Sequence, residues 1–201
     1  MIDQKVPVNL SILARLKVET AEVHRKVESV LKIMDPTLSR EEYRNVLTCF
    51  FRIYRPLENR LAKHTSFLNP EFNLQLRSKA QLIRADLIDL GCTDAQLNKI
   101  KNADSFAKVN SMPTMIGALY VVEGATLGGQ LICRSLRKNS ELGNEAHRFF
   151  SGYGERTGLM WKEFCRLTIE STRPDDFNGI LQSAKLTFEA IYQQLANHAS
   201  L

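Results

Sequence analysis

"GALYVVEGATLGGQLI", residues 117–132, lies inside a stretch that runs from Met112 to Cys133 with Glu123 as its one charged residue. The apolar residues do not alternate with polar ones as a half-buried strand requires, so the spacing predicts a helix, over about residues 112–138. The continuous apolar part, 115–122, is too short and its flanks too polar for a membrane span, and a buried central helix is expected. Four of the ten glycines, Gly117, Gly124, Gly128 and Gly129, fall in this helix. Each costs roughly 0.5–1 kcal/mol relative to alanine. Together that is about 2–4 kcal/mol, a large share of a domain's net stability, so something must offset it. Two accounts stand open. Gly124 and Gly128 form a small-x-x-x-small face suited to close helix packing, or a flat group lies against the bare backbone.

The rest of the chain reads as helix too. Residues 10–34 place apolar side chains at spacings of three and four. A second helix starts at the Ser39–Glu42 capping box, and Pro56 should kink or break it. A third, residues 71–90, stops at Gly91. "SGYGERTG" (151–158) is a turn, and "LMWKEFCRLTIE" and "DFNGILQSAKLTFEAIYQQLANH" complete the set. No useful strand pattern or repeat is present. The expectation is an all-α fold in a single domain over residues 1–201, with residues 1–9 a flexible tail.

Apolar residues make up 44% and charged residues 24% of 201, as in an ordinary globular chain. The net charge of +5 comes from basic residues interleaved with acids, which argues against nucleic acid as a partner. It suits a rim for an anionic small molecule or a face for an acidic protein. Cys49, Cys92, Cys133 and Cys165 lie far apart with no C-x-x-C, the pattern of free thiols in a reducing compartment. "MIDQKVPVNL" has no signal-peptide core, so the cytoplasm is the expected location.

In "TAEVHRKVES" (20–29), His24 and Glu28 stand one helical turn apart on a shared face. Three readings fit: a surface His–Glu pair, a general base oriented by a carboxylate, or a metal-binding histidine with its supporting acceptor. A carboxylate di-iron site would need E-x-x-H. The residues three before the four histidines are Ala21, Leu61, Asn144 and Leu195, so that site is excluded. A zinc site would need more ligands at short spacing. If His24 binds metal, the metal brings its other ligands, as haem iron does.

At these residues the chain resembles the bacterial, biliverdin-producing haem oxygenase family. "LKVETAEVHRKVE" (16–28) resembles its proximal helix and "YVVEGATLGGQ" (120–130) its glycine-rich distal helix. "GYGERTGLMWKEF" (152–164) resembles a stretch of the branch associated with bacteriophytochromes, and the match runs over roughly residues 10–195. The resemblance implies a helical fold with haem between the two helices, haem being both cofactor and substrate. With O2 and electrons the ring is opened at a meso carbon to biliverdin, CO and Fe2+. It makes His24 the axial iron ligand and Glu28 the holder of its ring. Gly124 and Gly128 become the catalytic face against haem. Lys17, Lys162 and Arg166 become the basic partners of the propionates, and Phe188 an aromatic pocket residue. A ferredoxin with its reductase, or ascorbate in vitro, would supply electrons.

The chain departs from the animal members of that family at two positions. Ala125 stands where they carry an aspartate after the first distal glycine, and Ala21 where they carry a second proximal lysine. Two competing readings remain: a haem carrier without turnover, and a thiaminase-like hydrolase on the same architecture. The hydrolase would need a nucleophilic cysteine beside carboxylates, whereas Cys133 and Cys165 read as core. Trp161 also reads as core.

Overall fold

In the computed structural model, residues 11–103, 108–142 and 146–198 are described; the expected N-terminal tail, residues 1–9, lies outside them. Those residues form α-helices joined by turns and short 3-10 segments, with no strand among them.

The first helical pattern splits in two, where one helix over 10–34 was expected. α1 is Ile12–Glu19 and α2 is Ala21–Val30. The break falls at buried Thr20, whose hydroxyl and N–H both donate to the carbonyl of Leu16, at 2.7 and 3.0 Å. A threonine that bonds the preceding turn in this way competes with the helix ladder.

α3, Arg40–Lys63, begins at the expected box: the Glu42 N–H donates to Ser39 Oγ (3.2 Å) and the Ser39 N–H to the Glu42 carboxylate (2.8 Å). The helix runs on through Pro56, against the expectation of a break. Proline has no N–H for the carbonyl four residues back. That carbonyl, of Arg52, accepts the N–H of Ala103 instead, at 2.9 Å.

Residues 71–79 are not helical as expected. They form 3-10 turns at Pro70–Phe72 and Leu74–Arg77, and α4 covers only Ala80–Asp89. Glu58 of α3 accepts the N–H groups of Lys79 (2.7 Å) and Ala80 (3.0 Å), which caps α4 from 21 and 22 residues away along the chain. The helix ends as its sequence predicts: Gly91 adopts φ +92°, and the Cys92 N–H returns to Leu87.

α5 is Asp94–Lys99, α6 Met112–Leu136, α7 Arg148–Ser151, α8 Thr157–Ser171 and α9 Phe177–His198. α6 is long and apolar enough to pass for a membrane span by length and composition. In the fold its first half is core: Met115–Leu119 and Val121–Glu123 are buried. It packs along α9 at Gly117, where a Cβ would collide with the carbonyl of Ile180, and Ser183 Oγ donates to the carbonyl of Thr114 (2.7 Å). Its second half rests on α7, where a Cβ on Gly129 would collide with the carbonyl of Phe150. Buried Asp86 of α4 fixes α7 by accepting the N–H groups of Arg148 (3.0 Å) and Phe149 (2.8 Å).

Candidate functional site: a cleft between α2 and α6

α2 and α6 both pack on α9 and approach each other at two points. The Tyr120 hydroxyl lies near Thr20 at the start of α2. Ser135 Oγ donates to the carbonyl of Met34 beyond its end, at 3.4 Å. At 1.5 Å per residue the two points stand about 22 Å apart along α6. In these stretches His24 and Glu28 of α2 are exposed, as are Leu127, Gly128 and Leu131 of α6, and Gly124 is partly so. Leu127 is 47% and Leu131 59% exposed. The two leucines stand one turn apart and leave apolar surface on this half of α6.

The glycines of α6 divide by surroundings. Gly117 and Gly129 allow close helix packing. Gly128 opens on empty space, and a Cβ on Gly124 would meet only the edge of the Trp161 ring, at 3.7 Å. The small-x-x-x-small packing account, made for Gly124 and Gly128, therefore fails, and close packing is made instead at Gly117 and Gly129.

The structure brings His24, Glu28 and Phe188 together. The His24 imidazole stands edge-to-face on Phe188 of α9, with centroids 5.4 Å apart. Its Nδ1 lies 3.7 Å from the Glu28 carboxylate, within ion-pair reach but beyond a hydrogen bond. That orientation leaves Nε2 as the free ring nitrogen. Both side chains are more than half exposed. Among the described residues no three His, Cys, Asp or Glu converge as a metal-binding group, so His24 suits only a metal that carries its remaining ligands with it. A flat, apolar macrocycle with a central iron fits this set: one histidine nitrogen, an aromatic floor, two bare stretches of helix backbone and two exposed leucines.

The predicted basic residues are less uniform. Lys17 is exposed in the last turn of α1, and Lys162 is exposed on α8 next to Trp161. Arg166 is already paired, to Glu71 at 2.5 Å and Glu170 at 2.7 Å. To receive a propionate it would have to leave these carboxylates.

Two features escaped the sequence reading. Trp161, expected in the core, is partly buried and closes against Gly124. Glu123 forms a buried charge cluster beside α6. It accepts from Arg77 Nη1 (2.6 Å), Lys79 Nζ (2.6 Å) and the Tyr153 hydroxyl (2.9 and 3.0 Å). Burial lowers the Lys79 ammonium from its ordinary value, opposed by Glu123, and raises the Tyr153 phenol. The one acid in a long apolar run was a usable signal, since a buried carboxylate must be paired. Its two cationic partners lie in "LQLRSKA", which carries no pattern of its own.

The haem oxygenase family model matches residues 10–197. No curated protein sequence matches the chain. Among solved structures, the haem oxygenase of Leptospira interrogans aligns with a TM-score of 0.75 at 16% identity, covering 94% of this chain and 100% of that one. The NO- and CO-bound haem oxygenase of Neisseria meningitidis gives 0.74 at 21% identity, covering 96% and 94%. Haem oxygenase-1 of the cyanobacterium Synechocystis, in complex with haem, gives 0.72 at 13% identity, covering 94% and 92%. These likenesses show a common fold, and with a family match over nearly the whole length, the chain belongs to the haem oxygenase family.

Proposed function

We propose that this chain binds haem in the α2–α6 cleft and opens the ring at a meso carbon, consuming O2 and electrons and releasing biliverdin, CO and Fe2+. The observation that carries the reading is the open backbone at Gly128, with Gly124 one turn before it bounded only by the Trp161 ring, on a helix that packs on α9 as does α2, whose half-exposed His24 stands on Phe188 of α9. Haem, as both substrate and cofactor, supplies the redox iron and holds its own meso carbons beside it. His24 Nε2 holds the iron, Glu28 keeps the ring turned, and Phe188 supports it from below. Gly124 and Gly128 let the macrocycle approach the helix and leave room for O2. Lys17 and Lys162 neutralise the propionates, joined by Arg166 when it exchanges its surface carboxylates, a cheap exchange for exposed pairs.

α6 offers the cleft no acid. Glu123, its only carboxylate, is turned into the core and fully bonded, and position 125 is an exposed alanine. Protons then reach the cleft through water along the open glycine face. The same observation favours a second reading, a haem carrier without turnover. The electron donor is an acidic one-electron protein of the ferredoxin type, drawn by the basic surface. A reducing cytoplasm suits the four free cysteines.

The test is addition of ascorbate, or of a ferredoxin with its reductase, to the haem-loaded protein in air. The oxygenase reading expects the haem band to fall while a biliverdin band grows. A stable haem spectrum with no verdin selects the carrier.

A further inference from the structure

The buried cluster behind α6 reaches beyond Glu123. Arg77, on the 3-10 turn before α4, is buried, and its guanidinium fork spans two helices. Nη1 donates to Glu123 on α6 (2.6 Å) and to the carbonyl of Met160 on α8 (3.4 Å); Nη2 donates to Glu163 on α8 (2.7 Å). Glu123 precedes Gly124 in sequence. Met160 and Glu163 lie on either side of Trp161, whose ring edge stands 3.7 Å from where a Cβ on Gly124 would be and whose ring stacks on Phe164. One side chain thus bonds the immediate neighbours of both walls at this end of the cleft.

We propose that Arg77 is a positioning residue that sets the gap between the Gly124 backbone and the Trp161 ring, and so the space available on the distal side of bound haem. The proposal rests on the cleft being the haem site. Glu123 is held independently by Lys79 and Tyr153, so the α6 end of the link is over-determined, and Glu163 is the side chain through which Arg77 holds α8. A buried ion pair is weak evidence for stability, but a planar fork between two carboxylates fixes a distance. A lysine gathers its three donors on one nitrogen and lacks the planar fork, so it does not fix the spacing of the two carboxylates in the same way.

Trp161 is the chain's only tryptophan and reports on the gap without haem. Glu163 is 40% exposed, so Glu163→Ala removes the ionic part of the link to α8, leaving only the longer bond to the Met160 carbonyl, without opening the core. In the haem-free protein the expected result is a red-shifted Trp161 emission and stronger quenching by acrylamide. Glu163→Gln, which still accepts a hydrogen bond, should give a smaller shift, and Glu170→Ala on the same helix none. Arg77→Lys, if its circular dichroism stays native, should match Glu163→Ala. Unchanged Trp161 emission in Glu163→Ala overturns the proposal even if its melting temperature falls, and so does an equal response in Glu170→Ala. Failure of the wild type to bind haem would instead overturn the cleft assignment, and the Trp161 response would still be readable.

Discussion

Gly128 and Gly129 are adjacent in sequence and opposite in surroundings. A Cβ on Gly129 would collide with the carbonyl of Phe150, whereas a Cβ on Gly128 would meet nothing. Gly129 serves the packing of α6 on α7, and Gly128 stands clear of the fold, where the proposed haem would lie. Gly129→Ala should therefore destabilise the protein by about 1–3 kcal/mol, the usual cost of overpacking. Gly128→Ala should stabilise the haem-free protein by about 0.5–1 kcal/mol through helix propensity and weaken haem binding. Urea unfolding paired with haem titration separates the two, and equal effects at both positions would contradict the division.

Glu123 is the charge on which the back of α6 depends. Glu123→Ala leaves Arg77 and Lys79 buried without their shared carboxylate and should cost about 3–5 kcal/mol. Tyr153→Phe removes one hydrogen bond to that carboxylate and should cost about 1.5–3 kcal/mol. Denaturant midpoints measure both, and a near-neutral Glu123→Ala would mean that water replaces the cluster.

His24 and Glu28 are both more than half exposed, so their pair should contribute little to folding. Glu28→Gln should change stability by less than about 0.5 kcal/mol. If Glu28 orients the iron ligand, the same variant should shift the absorption spectrum of the haem complex. An unchanged spectrum would reduce the pair to surface decoration.

Burial pushes the Cys49 thiol from 9.0 up to about 12. The folded state keeps this proton where the unfolded chain has released it. The stabilisation is fully present below pH 9 and is lost as the pH rises through about 12. Unfolding free energy should fall between pH 9 and 11, and the fall should be smaller in Cys49→Ala. A matching fall in the variant would assign it to other groups, such as the buried phenols of Tyr43 and Tyr54, which are also raised.

Local patterns carried much of the architecture. The period of α6, the Ser39–Glu42 box, the Gly91 stop and the shared face of His24 and Glu28 are relations within a few residues, and each appears as read. The first period is cut locally, where the Thr20 hydroxyl bonds the Leu16 carbonyl, and non-local bonds overrode the rest. Pro56 does not break α3 because Ala103, 47 residues on, satisfies the carbonyl of Arg52. Residues 71–79 are not helical because Glu58 caps α4 from another helix. The four glycines of α6 look alike in sequence, and only their neighbours on α7, α8 and α9 divide them. Arg77 and Trp161 stand on separate elements and meet the cleft only in the folded chain.

The most direct test of the account is a haem titration of the wild type and of His24→Ala, followed through the Soret band. The account predicts a saturable Soret band in the wild type and, in His24→Ala, a folded protein whose haem spectrum is shifted and which forms no biliverdin with ascorbate in air. A wild-type spectrum retained unchanged in His24→Ala would remove His24 from the iron and with it the α2–α6 cleft as the site.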